Sequence, residues 1–455
     1  MELTGKRVIV VGLGKSGVAA ARFCHARGAR VVATDSARRE NLSDAALALP
    51  VEIRAGGHHE VHFDSADLVV VSPGVPPLPE LEIAENAGAE VIGELELGAR
   101  FIDIPVVAVG GTNGKSTTTT LLGELLRAGG RRVFVGGNLG TPAVEAVGRG
   151  VELCVLEVSS FQLERAPSFH PAVSVLLNVS EDHLDRYPSF LAYAEAKGNA
   201  FVNQTSADAA VYPADDPECA RQAGRGRGRQ VTFGGTGDYA VVARAVVERS
   251  SGESFALEHT ELHGAHNATN AAAAIAAART LGVPVSGVRR GLGEFRALPH
   301  RMQRVATVDG VAYYDDSKAT NVDAAVTALL GLSEERAVLI AGGRDKGGSY
   351  APLARALADK GRAVVLIGEA AERIAAEVSA SSAFSGASSI EEAVRVARKL
   401  ARPGDAVLLS PACSSFDMFQ SYAERGERFA AAVRAFRSEM VAVTAAISNS
   451  EGGEA

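Results

Sequence analysis

The stretch VVAVGGTNGKSTTTTLLGELLRAGG, Val106 to Gly130, decides the reading of this chain. A near-continuous apolar run, VVAVG, is followed by a glycine-rich turn. A Thr- and Leu-rich run comes next, with Leu121, Leu122, Leu125 and Leu126 at the spacing of one helical stripe. The order strand, glycine turn, helix is that of a phosphate-binding loop. The usual pattern is Gly, four residues, then Gly-Lys-Ser/Thr. Gly114-Lys115-Ser116 supplies its end, but Val109 stands where the first glycine belongs. In this setting Lys115 reaches outer phosphates, and the Ser116 hydroxyl is placed to ligate magnesium.

Working outward, other apolar runs bracket this one. RVIVVG, RVVATD and LVVVSPG precede it; LCVLEVSS and AVSVLLNVS follow; AVLIAGG, AVVLIG and AVLLSPA come last. Runs of this kind, alternating with helical patterns, are buried on both faces in parallel sheets covered by helices. The chain of 455 residues has room for about three domains at roughly 150 residues each. The expected fold is therefore α/β in three domains. These are a Rossmann-like N-terminal domain over 1–93, a central P-loop ATPase-like domain over 94–296 and a Rossmann-like C-terminal domain over 297–445. Residues 446–455, small and polar, read as a disordered tail. Val231 to His263 reads as irregular strands and hairpins, and NAAAAIAAA as a buried helix.

Composition narrows the partners. Hydrophobic residues make up 47% and charged residues 22%, with a net charge of −8, which argues against nucleic acid. The basic cluster Arg221 to Arg229 reads as a solvated loop. Cys24, Cys154, Cys219 and Cys413 form no CxxC pair, so neither zinc nor a disulfide framework is expected. The chain starts straight into a strand, and no run reaches the ~18 apolar residues of a membrane span. A cytoplasmic protein with no membrane partner, acting as a monomer, is the expectation.

The first unit offers Gly12-Leu13-Gly14-Lys15-Ser16-Gly17 after a strand, with Asp35 ending the next strand. This is the dinucleotide fingerprint in its setting, and it speaks for a diphosphate more firmly than for NAD. Glu157 ends LCVLE, where it can share a metal with Ser116. NVSEDHLDRY brings Asp182, His183 and Asp185 to the same sheet edge, in a metal or phosphate role. Two anion sites point to an ATP-handling enzyme with two phosphorylated ligands. A nicotinamide oxidoreductase with a regulatory ATP site is the rival reading.

GTNGKST, EVSSFQL, NVSEDHLDRY, GAHNATNAAAA, PHRMQ, DDSKATN and SPACSSFDMFQSYAERG, in this order, resemble the Mur ligase family. The family's loop reads G-T-x-G-K-S/T, which accounts for the missing glycine. The resemblance implies an ATP-dependent amide ligase of peptidoglycan precursor synthesis, hence of cell wall biogenesis, cell shape and division. It implies ATP and Mg2+ as cofactors and points to the branch that adds D-glutamate to UDP-N-acetylmuramoyl-L-alanine. A sister ligase adding another amino acid, or a folate polyglutamate ligase, is the alternative. Diamino-acid-adding members resemble one another in an Asp-Asn-Pro-Arg motif that this sequence lacks.

By the same resemblance, Gly14, Lys15, Ser16, Asp35, Ser36, Gly74, Asn138, Ser159 and His183 would bind the UDP-sugar. Gly111, Thr112, Asn113, Gly114, Lys115, Ser116, Thr117, Asn267, Arg301, Asp316 and Lys318 would bind ATP. Lys115, His183 and Lys197 would be catalytic, and Ser116, Glu157, His183 and Lys197, as a carbamate, would serve the metal. Gly198 and Asn199 depart from the larger side chains the pattern has after that lysine. Thr320, Lys346, Ser415 and Tyr422 would hold D-glutamate, with Arg344 the rival to Lys346. Ser414 and Ser415 are expected at a helix start, where backbone amides favour a carboxylate.

Overall fold

The computed structural model describes residues 1–184, 186–262 and 264–451, with side chains through Phe436 in the last helix. Asp185 and His263 lie outside the described residues. The apolar runs all form strands, in three sheets. The first sheet is wholly parallel, in the order Glu52–Ala55, Arg30–Asp35, Arg7–Val11, Leu68–Val71, Glu90–Gly93. Its central strand pairs Val8 with Val31 on one side and with Leu68 on the other. Order reverses at that strand, and the glycine turn follows it, as doubly wound nucleotide-binding sheets require.

The second sheet has nine strands. At its centre Val106–Gly110 lies between Leu153–Glu157 and Val173–Leu176, all parallel, with Val107 paired to Val155 and Val173. Val133–Gly137 closes one edge. Ala209–Pro213 and Arg229–Phe233 extend the other. A meander of Tyr239–Val242, Ala245–Glu248 and Glu253–Ala256 completes it, so the strands and hairpins expected from Val231 onward are ordered strands of the sheet as far as Ala256. The helix Lys115–Ala128 buries Leu121, Leu122, Leu125 and Leu126 on one stripe. The alanine-rich helix Ala265–Thr280 is buried all round from Ala271 to Ala278, as an apolar helix must be.

The third sheet has six strands in the order Gln303–Val308, Val311–Asp315, Ala406–Leu409, Ala337–Gly342, Gly361–Ile367, Phe384–Gly386. Only the first pairing is antiparallel. The last helix, Tyr422–Glu451, runs through the first part of the stretch expected as a disordered tail; residues 452–455 lie outside the described residues. Two compact units emerge. One holds 1–179, 191–263 and 267–295, with the first two sheets; the other holds 180–190, 264–266 and 296–455, with the third. All four cysteines are free and buried. Among the described residues no helix is long and apolar enough to cross a membrane.

Candidate active site

In the first unit the phosphate loop hangs from the carboxyl end of Val106–Gly110 and runs into the helix that begins at Lys115. Asn178 braces it. The Thr112 amide donates to the Asn178 carbonyl at 3.0 Å, the Asn113 amide donates to Asn178 Oδ1 at 2.8 Å, and Asn178 Nδ2 donates to the Asn113 carbonyl at 3.1 Å. Two ammonium groups converge on the loop. Lys115 Nζ donates to the carbonyls of Gly111 (2.9 Å) and Thr112 (2.7 Å). Lys197, only 3% exposed, donates to the same Gly111 carbonyl at 2.8 Å. Tyr193, one turn earlier on the helix Phe190–Gly198 that carries Lys197, sets its hydroxyl 3.2 Å from Thr112 Oγ1. The Lys197 ammonium stands 4.4 Å from the Tyr193 ring centre.

Gly114 has φ +83°, and a Cβ there would meet Asn270 Oδ1 at 2.2 Å. Asn270 in turn donates to Asn267 Oδ1 at 3.2 Å, which ties this expected nucleotide contact to the loop. Left-handed backbone costs a side-chain-bearing residue on the order of 1–3 kcal/mol. Gly114→Ala is therefore expected to raise the KM for ATP roughly tenfold or more through that strain and the clash. An ATP titration of turnover checks it, and an unchanged KM would show that the loop tolerates the methyl.

Glu157 ends the neighbouring strand, 2% exposed. Asn138 Nδ2 donates to its Oε1 at 2.7 Å, while Oε2 is buried with no hydrogen-bond partner among the described residues. A carboxyl oxygen so placed suits a hard cation, and the buried Ser116 hydroxyl on the loop helix is of the right chemistry to join it. No group of three or more His, Cys, Asp or Glu is placed for a metal among the described residues, so protein carboxylates alone do not make a cage. Ser116, Glu157 and Lys197 lie in the first unit and His183 in the second.

The glycine fingerprint is built as read. The helix Lys15–Ala26 starts at the exposed Gly14 and Lys15, with Ser16 half-buried and no side-chain cap on its first amides. A Cβ on Gly17 would sit 1.7 Å from the Gly12 carbonyl, so the third glycine is there for packing. Asp35 accepts from the amides of Leu13 (2.6 Å) and Ala37 (2.8 Å), which fixes the turn that carries Ser36. Gly74 is exposed in the following strand's loop, where Ser72 Oγ donates to the Gly12 carbonyl. Ser159 caps the helix Ser160–Leu163 in a capping box with Gln162, a structural task for its hydroxyl.

In the second unit a cavity of about 240 Å³ is lined by Asp182, His183, Asn321, Lys346, Tyr350 and Ala412, among others. Lys346 Nζ pairs with Asp182 Oδ1 at 3.2 Å, and Asn321 Nδ2 donates to Asp182 Oδ2 at 3.3 Å. Burial works to raise the Asp182 carboxyl, but Lys346 and His183 outweigh it and hold the group below its ordinary value. His183 has φ +56°, with Nε2 3.6 Å from Asp182 Oδ2. Arg344 is exposed and does not line the cavity, which favours Lys346 of the two candidates. Thr320 is half-buried beside Asn321.

Asp316 is buried and pushed up to about 7, against the pull of Ser410 Oγ at 2.9 Å and the charge of Arg301. Lys318 Nζ lies 3.8 Å over the Tyr422 ring. Ser414 and Ser415 are not at a helix start, contrary to expectation: the helix begins at Tyr422. The chain between is spent in turns closed by the Met418 and Phe419 amides on the Ser415 carbonyl, and Ser414 is drawn into a bridge with Arg344. The carboxylate-at-a-helix-start argument therefore does not apply to Ser415. Asn178 and Tyr193 are not marked by the sequence, although Asn178 opens the quoted NVSEDHLDRY. Nothing local marks them, because their partners are 65 and 81 residues away.

Family models match along most of the chain. Residues 6–93 match the Mur ligase MurD-like N-terminal domain, 109–278 the Mur ligase middle domain, and 300–413 the Mur ligase glutamate ligase domain. A UDP-N-acetylmuramoylalanine–D-glutamate ligase of Geobacter metallireducens is 48% identical over 96% of this chain and 98% of its own length. The chain belongs to the Mur ligase family. Solved structures of the same fold include the UDP-N-acetylmuramate-alanine ligase MurC of Thermotoga maritima. It matches at TM-score 0.63 and 20% identity, over 95% of this chain and all of that one. The MurF ligase of the same organism, in complex with ADP, matches at TM-score 0.60 and 20% identity, over 95% and 99%. Within this Mur ligase the three sheets correspond to the three family domains.

Proposed function

We propose that this chain is an ATP-dependent amide ligase that joins D-glutamate to UDP-N-acetylmuramoyl-L-alanine. The observation that carries the reading is the convergence of the Lys115 and Lys197 side chains on one carbonyl of the phosphate loop. It is joined by near-full-length likeness to relatives with that name. The substrate's free carboxylate attacks the γ-phosphorus of ATP, ADP leaves, and an acyl phosphate forms. The amine of D-glutamate then attacks the acyl carbon, loses a proton, and expels phosphate as the amide bond forms.

Such chemistry needs positioned cations around the phosphoryl group and little covalent help. Lys115, at the first position of the loop helix, supplies one where the helix N-terminus adds its own partial charge. His183 lies beside Asp182 in the cavity of the second unit. Glu157 and Ser116 would hold magnesium, with Lys197 as a carbamate adding a further carboxylate. Held there, magnesium would supply positive charge that offsets the charge of the transferring phosphoryl group. The Gly14–Ser16 helix start is suited to the uridine diphosphate. Lys346 meets an acceptor carboxylate by exchanging its Asp182 partner for it, and Thr320, Ser415 and Tyr422 complete the acceptor pocket. Asn267, Arg301, Asp316 and Lys318 belong to the nucleotide. The domain bounds 1–93, 94–296 and 297–445 go with this assignment, as do a monomer and a cytoplasmic location.

The test is ATP-dependent phosphate release with UDP-N-acetylmuramoyl-L-alanine and a panel of amino acids. D-Glutamate is expected to exceed L-lysine and diaminopimelate in kcat/KM by about a hundredfold or more, because a side-chain ammonium left unpaired near Lys346 costs several kcal/mol. Comparable efficiency with either diamino acid would reassign the acceptor. Phosphate release that needs no amino acid at all would overturn the ligase reading.

A further inference from the structure

The helix Phe190–Gly198 presents Tyr193 and Lys197 to the phosphate loop, and its last turn is held from behind by a side chain far along the chain. Arg225 Nη1 donates to the Glu195 carbonyl at 2.6 Å and to Gln222 Oε1 at 3.1 Å. Its Nη2 donates to Asn199 Oδ1 at 3.1 Å. Gln222 is fully buried in the helix Pro217–Ala223, and its Nε2 is fixed on Glu218 Oε1 at 2.7 Å. Asn199 is anchored in turn on the Leu163 carbonyl at 3.3 Å. A Cβ at position 198 would lie 2.0 Å from Gln222 Oε1 and 2.6 Å from Arg225 Nη1, so only glycine leaves the notch in which the guanidinium sits.

The last carbonyls of a helix have no partner within it, and a cation there is favoured by the helix dipole. Arg225 answers both needs at once, and its planar fork fixes direction as well as charge. Lys197 lies in that same last turn, between Glu195 and Gly198, so a shift of the turn carries its ammonium off Gly111 directly. The replacement of larger residues by Gly198 and Asn199 after the lysine thus has a purpose: one makes the notch and the other binds the fork.

We propose that Arg225, seated by Gln222 in the notch left by Gly198, is a positioning residue that sets Lys197 against the phosphate loop. The inference rests on the ligase reading above for what Lys197 does. Displacing a reacting or metal-binding group by about 1 Å can cost up to about a hundredfold in rate, so Arg225→Ala is expected to lower kcat by roughly ten- to a hundredfold. The KM for D-glutamate should stay unchanged, and Arg225→Lys should recover part of the loss. Arg227→Ala, an exposed neighbour in the same basic loop, should behave as wild type.

The deciding measurement is a double-mutant comparison in the phosphate-release assay. If Arg225 acts through Lys197, then Arg225→Ala added to Lys197→Ala brings no further loss. A loss that multiplies fully with that of Lys197→Ala would overturn the proposal. So would a wild-type kcat in Arg225→Ala, whether or not its melting temperature falls. Should the wild-type protein release no phosphate with these substrates, the ligase reading fails, and the clamp is judged on magnesium-ATP binding instead. A several-fold higher Kd in Arg225→Ala supports it, and an unchanged Kd overturns it.

Discussion

Lys115→Ala is expected to abolish measurable turnover while leaving the protein folded. Its ammonium is held on the carbonyls of Gly111 and Thr112, at the mouth of the loop and the start of the helix Lys115–Ala128. The side chain is half-buried and takes no part in the leucine stripe beneath, so truncation should spare the core. Removing one preorganised charge from a phosphoryl-transfer site typically costs a factor of about 10² or more in rate. Phosphate release at saturating ATP and magnesium, paired with a thermal melt, checks both halves. Near-normal release would remove Lys115 from the machinery, and a collapsed melt would make the loss one of folding.

Lys197→Ala should be nearly inactive as well, but for a different reason and with a different signature. A lysine this buried, donating to a loop carbonyl, is poorly placed as a mere surface cation. A carbamate forms when its neutral amine adds to carbon dioxide and releases a proton, turning a positive group into a carboxylate that suits magnesium. Alanine removes that group and leaves space beside Gly111. Added short carboxylic acids are therefore expected to restore part of the rate in Lys197→Ala and none in Lys115→Ala. Wild-type rates in the alanine variant would reduce Lys197 to a packing role. Loss without rescue would keep its importance but remove the carbamate.

Both predictions rest on residues that the sequence exposed with unequal clarity. Lys115 is legible because its motif is local: strand, glycine turn and helix lie within one stretch. The central strands are legible for a related reason. Val106–Gly110 and Leu153–Glu157 are buried on both faces and must be apolar at nearly every position. Edge strands escape that rule. Glu52–Ala55 and Phe384–Gly386 are partly exposed, carry no continuous apolar run, and give no signal of their own. The helix expected after Ser415 is present but starts later, at Tyr422, since the segment first closes on its own carbonyls.

The sequence by itself determined the three α/β sheets, the two glycine loops and the set of residues fit for an ATP-dependent ligase. Tertiary structure alone decided how they are used. It brought Lys197 to Gly111 across 86 residues and Lys346 to Asp182 across 164, and it left one oxygen of Glu157 buried with no hydrogen-bond partner among the described residues. It also gave Arg225, part of a loop that reads as merely solvated, a place behind Lys197. The physical reason is that apolar periodicity records burial, which each segment must encode in its own residues. A polar contact between distant segments depends on where two backbones are brought by all the packing between them, and neither segment carries a local trace of its partner.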